Sequence, residues 1–263
     1  MFFKKREPVL EEEEEQLAEG TLISHLLELR SRLVKAMLAV LVVFICLVPF
    51  ANRVFEWVSA PLREQLPEEW TMIATRVASP FLTPFKTTLF VAVFLAMPVI
   101  LYQVWQFVAP GLYRREKRFA VPLLVSSIVL FYCGVAFAYY VVFPLIFAFF
   151  AASTPPGVAM MTDIGEYLNT VLTLSFAFGL AFEVPIATLL LIWSGLVNVQ
   201  SLRGARPYVF LGAFVIGMFL TPPDVFSQTL LAVPMYLLYE GGLILARFLV
   251  PERMAAAPEE AET

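Results

Sequence analysis

Six apolar runs dominate this sequence, at about 33–50, 87–108, 119–147, 167–194, 208–220 and 225–245. A helix of about 20 residues rises 1.5 Å per residue and so crosses the ~30 Å hydrocarbon core of a bilayer. Lipid offers no hydrogen bonds, so such runs must satisfy their backbone internally as helices. A soluble domain is excluded by the same feature. With 60% hydrophobic and 15% charged residues in 263, and a mean hydropathy of +0.79, there is too much apolar surface for one core to hide. The expected fold class is an all-α polytopic membrane protein with six transmembrane helices.

The fifth run, of about 13 residues, reaches only about 20 Å. It is joined to the sixth by "TPPD" (221–224), a tight turn, and the short pair is expected to thin the bilayer locally. Basic residues set the orientation. With the N-terminus inside, fourteen of the eighteen lysines and arginines fall on the cytoplasmic side, and only Arg53, Arg63, Arg76 and Lys86 fall outside. Both termini are therefore expected in the cytoplasm.

Residues 1–20, with glutamates from Glu11 to Glu15, read as an acidic disordered tail. They contain no apolar core of a cleavable signal, so insertion through the first span is expected. The spanning domain is 21–248 and a cytoplasmic tail 249–263. Around 21–33, leucines at near-helical spacing interleave with His25, Glu28, Arg30 and Arg32, which is the pattern of an interfacial amphipathic helix. The long outer loop, 51–86, contains a second amphipathic stretch, "RVFEWVSAPLREQL", with Trp57 and Trp70 suited to a membrane-surface cap. Pro98, Pro144, Pro185 and Pro234 lie in or beside spans. They either curve the bundle or are ordinary membrane-helix prolines. Cys46 and Cys133 read as small hydrophobes.

Few side chains can carry chemistry. The one histidine, His25, leaves little for a hydrolase triad or an imidazole metal cluster, and no phosphate-binding loop occurs, so an enzyme is not expected. Neither a cofactor nor a nucleic-acid partner is expected. Glu183 lies near the middle of the fourth run, where an ionisable group costs about 3 kcal/mol. It is either a locally bonded structural carboxyl or a contact for a cavity, substrate or partner helix. Gln228 is a lesser case, bonding to a partner helix or within its own bundle. Asp224 stands at the N-cap position of the last helix. Glu28 has a helix-face partner in Arg32, and Glu116 can favour the dipole of the third span. Both also lie among arginines and lysines at the cytoplasmic surface, where two fixed carboxylates can grip two guanidinium groups.

The blocks "HLLELRSRL", "SAPL", "ASPFLTPFK", "PVILYQVWQFVAPGLYRREKR", "FGLAFEVP" and "RPYVFLGAFVIGMFLTPPDVFSQTLLAVPMYLLYE" resemble, in order and spacing, the TatC family. TatC is the multispanning core subunit of the twin-arginine protein translocase. The acidic N-terminal run departs from the family's short tail. The resemblance implies a curved, glove-like bundle with both ends cytoplasmic, in a bacterial inner membrane. It implies a signal-peptide receptor in which Glu28 and Glu116 bind the twin arginines, with Arg30, Phe107 and Pro61 at sensitive positions. It places Glu183 on the concave surface. The region of Met218 and Gln228 is implied to dock the single-span partners TatA and TatB, in a complex with several copies of the chain, surrounded by lipid. Export of folded precursors would be driven by the proton-motive force. Two other readings remain: a proton-coupled secondary transporter using Glu183, and a scaffold that binds membrane helices without reading arginines.

Overall fold

The computed structural model describes residues 7–65, 72–108, 120–155, 158, 161–193, 197–221 and 224–249. Among them the chain is helical throughout, apart from turns and one isolated bridge between Ile73 and Asp163. Helix α1 is Glu7–Leu47, and a single 3-10 turn, Val48–Phe50, leads into α2, Ala51–Gln65. Helix α3 is Ser79–Val108. Helix α4, Ala120–Phe137, passes through a π-helical turn, Ala138–Val142, into α5, Phe143–Ser153. Helices α6, Ile164–Ala181, and α7, Val184–Trp193, form the next segment. The short α8, Val199–Gly204, precedes α9, Arg206–Leu220, and α10, Val225–Leu249.

Five segments are long and apolar enough to cross a membrane: Leu26–Ala60, Ser79–Phe107, Val121–Ser153, Ile164–Trp193 and Val225–Phe248. The sixth, α9, has 15 residues and spans about 22 Å. It is therefore slightly longer than the apolar run suggested, and still short of a ~30 Å core. The expected amphipathic stretch in the long loop is α2, whose Trp57 ring stacks on Tyr139 at 6.1 Å.

Helix α1 begins at Glu7, within the 1–20 segment that the sequence reads as a tail. The segment "EPVLEEEEEQLAEG" is rich in Glu, Leu, Gln and Ala, all strong helix formers. Extending an existing helix avoids the nucleation cost that an isolated tail would meet.

The prolines act where the sequence suggested, but differently from one another. Pro84 and Pro98 lie inside α3, and Pro234 lies inside α10. Pro144 follows the π-helical turn, and Pro185 follows a break between α6 and α7. A proline has no N–H to donate and crowds the preceding turn, so both sites relieve it by local unwinding.

The core gathers Phe143, Ile146, Leu168, Leu172 and Phe178 between α5 and α6, with Leu231 of α10. A second cluster, Trp105, Leu189, Ile192 and Ala246, lies nearer the starting end of α1. Small residues allow close crossings. Gly134 of α4 abuts the Phe178 backbone of α6, and Gly242 of α10 abuts Pro185 and Thr188 of α7. Helix α1 packs along α3 and leaves most of its apolar surface open. An apolar groove of about 670 Å³ runs between them, lined by Leu33, Met37, Leu41, Phe44, Val93 and Ile100.

Alternating helix directions give the bundle two ends. At one lie Arg30, Arg32, Arg203, Arg206 and Arg247, and this is called the basic end. At the other lie α2, the loop through Ile73 and the start of α6, called the cap end.

Candidate functional site

At the basic end, Glu28 and Arg32 lie one turn apart on the same face of α1. Arg32 donates twice to the Glu28 atom Oε1, from Nε at 3.0 Å and from Nη2. Its third arm, Nη1, donates to Oε1 of Gln106 on α3 at 2.7 Å. Gln106 passes the chain on, donating from Nε2 to the Tyr102 hydroxyl one turn earlier on α3. Arg32 is only 17% exposed and Glu28 36% exposed. Both Arg32 donors to Glu28 go to Oε1, and among the described residues no donor reaches the second Glu28 oxygen, Oε2. Arg30 is exposed on the same turn of α1, and Phe107 is half-buried beside Gln106. Glu116 lies outside the described residues, so Glu28 alone of the two carboxylates has a described geometry. Pro61 falls within α2, and its side chain lies outside the described set.

In the interior, Glu183 sits in the break between α6 and α7. The Glu183 amide donates back to Leu180 at 3.0 Å, and its carbonyl accepts from Ala187 at 2.9 Å. The Ser127 hydroxyl of α4 interacts with its carboxyl, and the Trp105 indole of α3 donates to that hydroxyl at 3.2 Å. Three segments thus meet at one polar point. Oε1 of Glu183 is buried and has no partner among the described residues. The carboxyl was legible in sequence. Ser127 and Trp105 were not, because a serine in an apolar run is common and nothing local marks its partner.

Sequence reasoning also missed Asp163 at the cap end, although "TDIGE" carries an N-cap signature. Its Oδ1 accepts from the amides of Gly165 and Glu166, at 2.8 and 3.1 Å, and caps α6. Its Oδ2 accepts from the Thr75 amide at 2.8 Å and the Thr75 hydroxyl at 2.6 Å. These bonds, from the Thr75 hydroxyl first and its amide next, lower the Asp163 carboxyl from its usual 3.8 to about 2. The backbone adds Ile73 to Thr162 and Ile164 to Ile73, at 3.0 and 2.9 Å. The long loop is thereby tied to the head of α6.

Asp224 accepts from the Ser227 amide at 2.6 Å, as an N-cap of α10 does. Gln228 donates to the Phe214 carbonyl of α9 at 2.8 Å, so its amide is used inside the bundle. Met218 is 55% exposed on α9. On the basic end, Arg206 pairs with Glu240 at 2.7 Å, which also accepts from Tyr236 at 2.9 Å. No group of three or more metal-ligating side chains occurs among the described residues.

Together these features define a multi-pass α-helical membrane protein whose polar groups are gathered at helix ends and at one interior point. The sequence matches the family Sec-independent protein translocase protein (TatC) over residues 24–234. It is 67% identical over 222 residues to TatC of Azotobacter chroococcum, covering 84% of this chain and 87% of that protein. It is 60% identical over 229 residues to TatC of Escherichia coli K12, covering 87% and 89%. The crystal structure of the twin arginine translocase receptor TatC aligns with a TM-score of 0.77 at 38% identity, covering 85% of this chain and 98% of that one. The chain belongs to the TatC family and is a component of the twin-arginine translocase.

Proposed function

We propose that this chain is the signal-peptide receptor of its translocase and the platform on which the single-span partners TatA and TatB assemble. Fourteen of eighteen basic residues on one side support an orientation with both termini in the cytoplasm of a bacterial inner membrane. The basic end then faces the precursors. The observation that carries the reading is Glu28: a carboxylate at a membrane face, gripped through Oε1 by one guanidinium, with no donor among the described residues on Oε2. Glu116 supplies the second carboxylate for the second arginine, with Arg30 and Phe107 lining the approach. The apolar groove between α1 and α3 begins at Leu33, directly after Arg32, and suits the apolar stretch that follows the arginines of a signal. The short α9, with Met218, and the start of α10 make the surface where the partners gather, and the proton-motive force drives passage. The proton-coupled transporter reading, with Glu183 as coupling group, draws support only from its unpartnered Oε1.

Binding of a fluorescent twin-arginine signal peptide to the membrane-embedded protein tests the reading. Glu28→Gln, Glu116→Gln and the double variant are expected to lose the preference for arginine over a twin-lysine peptide. Equal binding of both peptides by every variant and the wild type would sink the clamp and return both glutamates to helix-stabilising roles.

A further inference from the structure

The proposed clamp carboxylate is not vacant at rest: Arg32 of the same chain holds it. Two N–H groups of Arg32 converge on one oxygen of Glu28. A fork-to-fork pair would use both oxygens, whereas Arg32 takes only Oε1 and leaves Oε2 unused. Arg32 does not swing aside easily, because Nη1 is anchored to Gln106 and Gln106 in turn is anchored to Tyr102 on α3. Its low exposure, 17%, fits a cation wedged between two helices rather than one waving in solvent.

We propose that Arg32 is a specificity-determining residue of the arginine-reading site, and that Gln106 is the positioning residue that holds it there. The proposal rests on the reading of Glu28 as a signal-peptide ligand. Any incoming cation must approach Glu28 beside a resident positive charge and with one oxygen on offer. An ammonium is compact and strongly hydrated, and it pairs as a point charge. It loses hydration and meets the full repulsion of Arg32. A guanidinium is more weakly hydrated, spreads its charge over a plane and carries five donors, so it takes Oε2 at smaller loss. Arg32 is thus a repulsive element that rejects the wrong cation more than the right one, which is how discrimination exceeds simple attraction. Were Glu28 bare, lysine and arginine would differ less.

The test is equilibrium binding of two fluorescent synthetic signal peptides, one with twin arginine and one with twin lysine, to the full chain in lipid nanodiscs. The quantity read is the ratio of the two dissociation constants. Arg32→Gln is expected to shrink the arginine preference by about fivefold, the size of one partly screened charge pair, chiefly by tightening the lysine peptide. Gln106→Ala, which frees Arg32 to leave Glu28, is expected to move the ratio the same way by less. Arg32→Lys keeps the charge and is expected to keep most of the preference. A purely structural Arg32 would weaken or spare both peptides together, so an unchanged ratio in Arg32→Gln overturns the proposal. Should Arg32→Gln fail to insert, the Gln106→Ala ratio decides alone, and an unchanged value there overturns it. Glu28→Gln separates the two levels: if it leaves arginine-peptide binding intact the receptor reading itself fails, whereas its loss beside an unchanged Arg32→Gln ratio rejects Arg32 alone.

Discussion

The crossing of α4 over α6 depends on two glycines, and replacing the first should have a measurable cost. A Cβ on Gly134 would lie 2.9 Å from the Phe178 carbonyl carbon and 3.0 Å from the Gly179 Cα. Both neighbours are backbone and have no rotamer to yield, so the helices must part by several tenths of an ångström. Phe131 and Phe178, each fully buried, are packed at this crossing and would lose contact. Overpacking a core costs about 1–3 kcal/mol, and a backbone obstacle places Gly134→Ala in the upper half, about 2–3 kcal/mol. For a chain of this size that lowers the melting temperature by about 4–10 °C. The assay is thermal unfolding of the detergent-solubilised protein, followed by tryptophan fluorescence and by size-exclusion recovery. Gly212→Ala is the control: nothing lies within 4 Å of its added Cβ, and alanine is the better helix former. It should melt at or slightly above the wild type. If Gly134→Ala melts within about 1 °C of wild type, the close crossing does not hold α4 against α6 as described. The same separation would also draw Ser127 away from Glu183, since α4 carries one and the end of α6 leads to the other.

Three further outcomes follow from the geometry. Asp163 has a folded-state value near 2, below its usual 3.8, so its contribution is complete above about pH 4 and is lost as pH falls toward 2. Asp163→Asn should therefore melt lower than wild type at pH 7, with the difference shrinking between about pH 4 and 2, and a difference that is the same at pH 7 and pH 2 would refute the tether. Gln228→Leu should lose one interhelical amide bond, about 0.6–1.7 kcal/mol, read as a lower melting temperature; an unchanged value would show that the bond to Phe214 contributes nothing. Ser127→Ala should make Glu183 more reactive to a membrane-permeant carbodiimide by removing its described polar neighbour, and unchanged labelling would contradict that contact.

Much of the fold was legible because the bilayer simplifies the code. Apolar runs of span length can only be helices, and charge marks their ends, so the runs map onto α1, α3, α4 with α5, α6 with α7, α9 and α10. The break at Glu183 was half visible: Pro185 announced an interrupted ladder, but not that the chain would unwind on its N-terminal side. The start of α1 at Glu7 was not legible, because a run of glutamates suggests a tail by charge alone, while helix propensity and continuity with a long apolar helix favour extending the helix. At the site, Glu28 and its partner Arg32 could be paired from their four-residue spacing. Gln106, Ser127 and Trp105 could not, since each owes its role to a neighbour on another helix, and single-sequence periodicity carries no information about such pairings. Asp163 was overlooked although its capping pattern stood in the sequence; its second role, holding Thr75 from 88 positions away, was beyond reach.

The central claim is that the arginine pair of a signal is read at the basic end, between α1 and α3. The most direct measurement places a photoreactive amino acid at position 107, beside Gln106, in membranes containing the partner subunits, and asks whether it crosslinks to the signal residues flanking the twin arginines. The account predicts a crosslink that an excess of twin-arginine peptide removes, that twin-lysine peptide leaves, and that Glu28→Gln abolishes. A crosslink indifferent to Glu28, or one found instead from position 57 on α2 at the cap end, would contradict it.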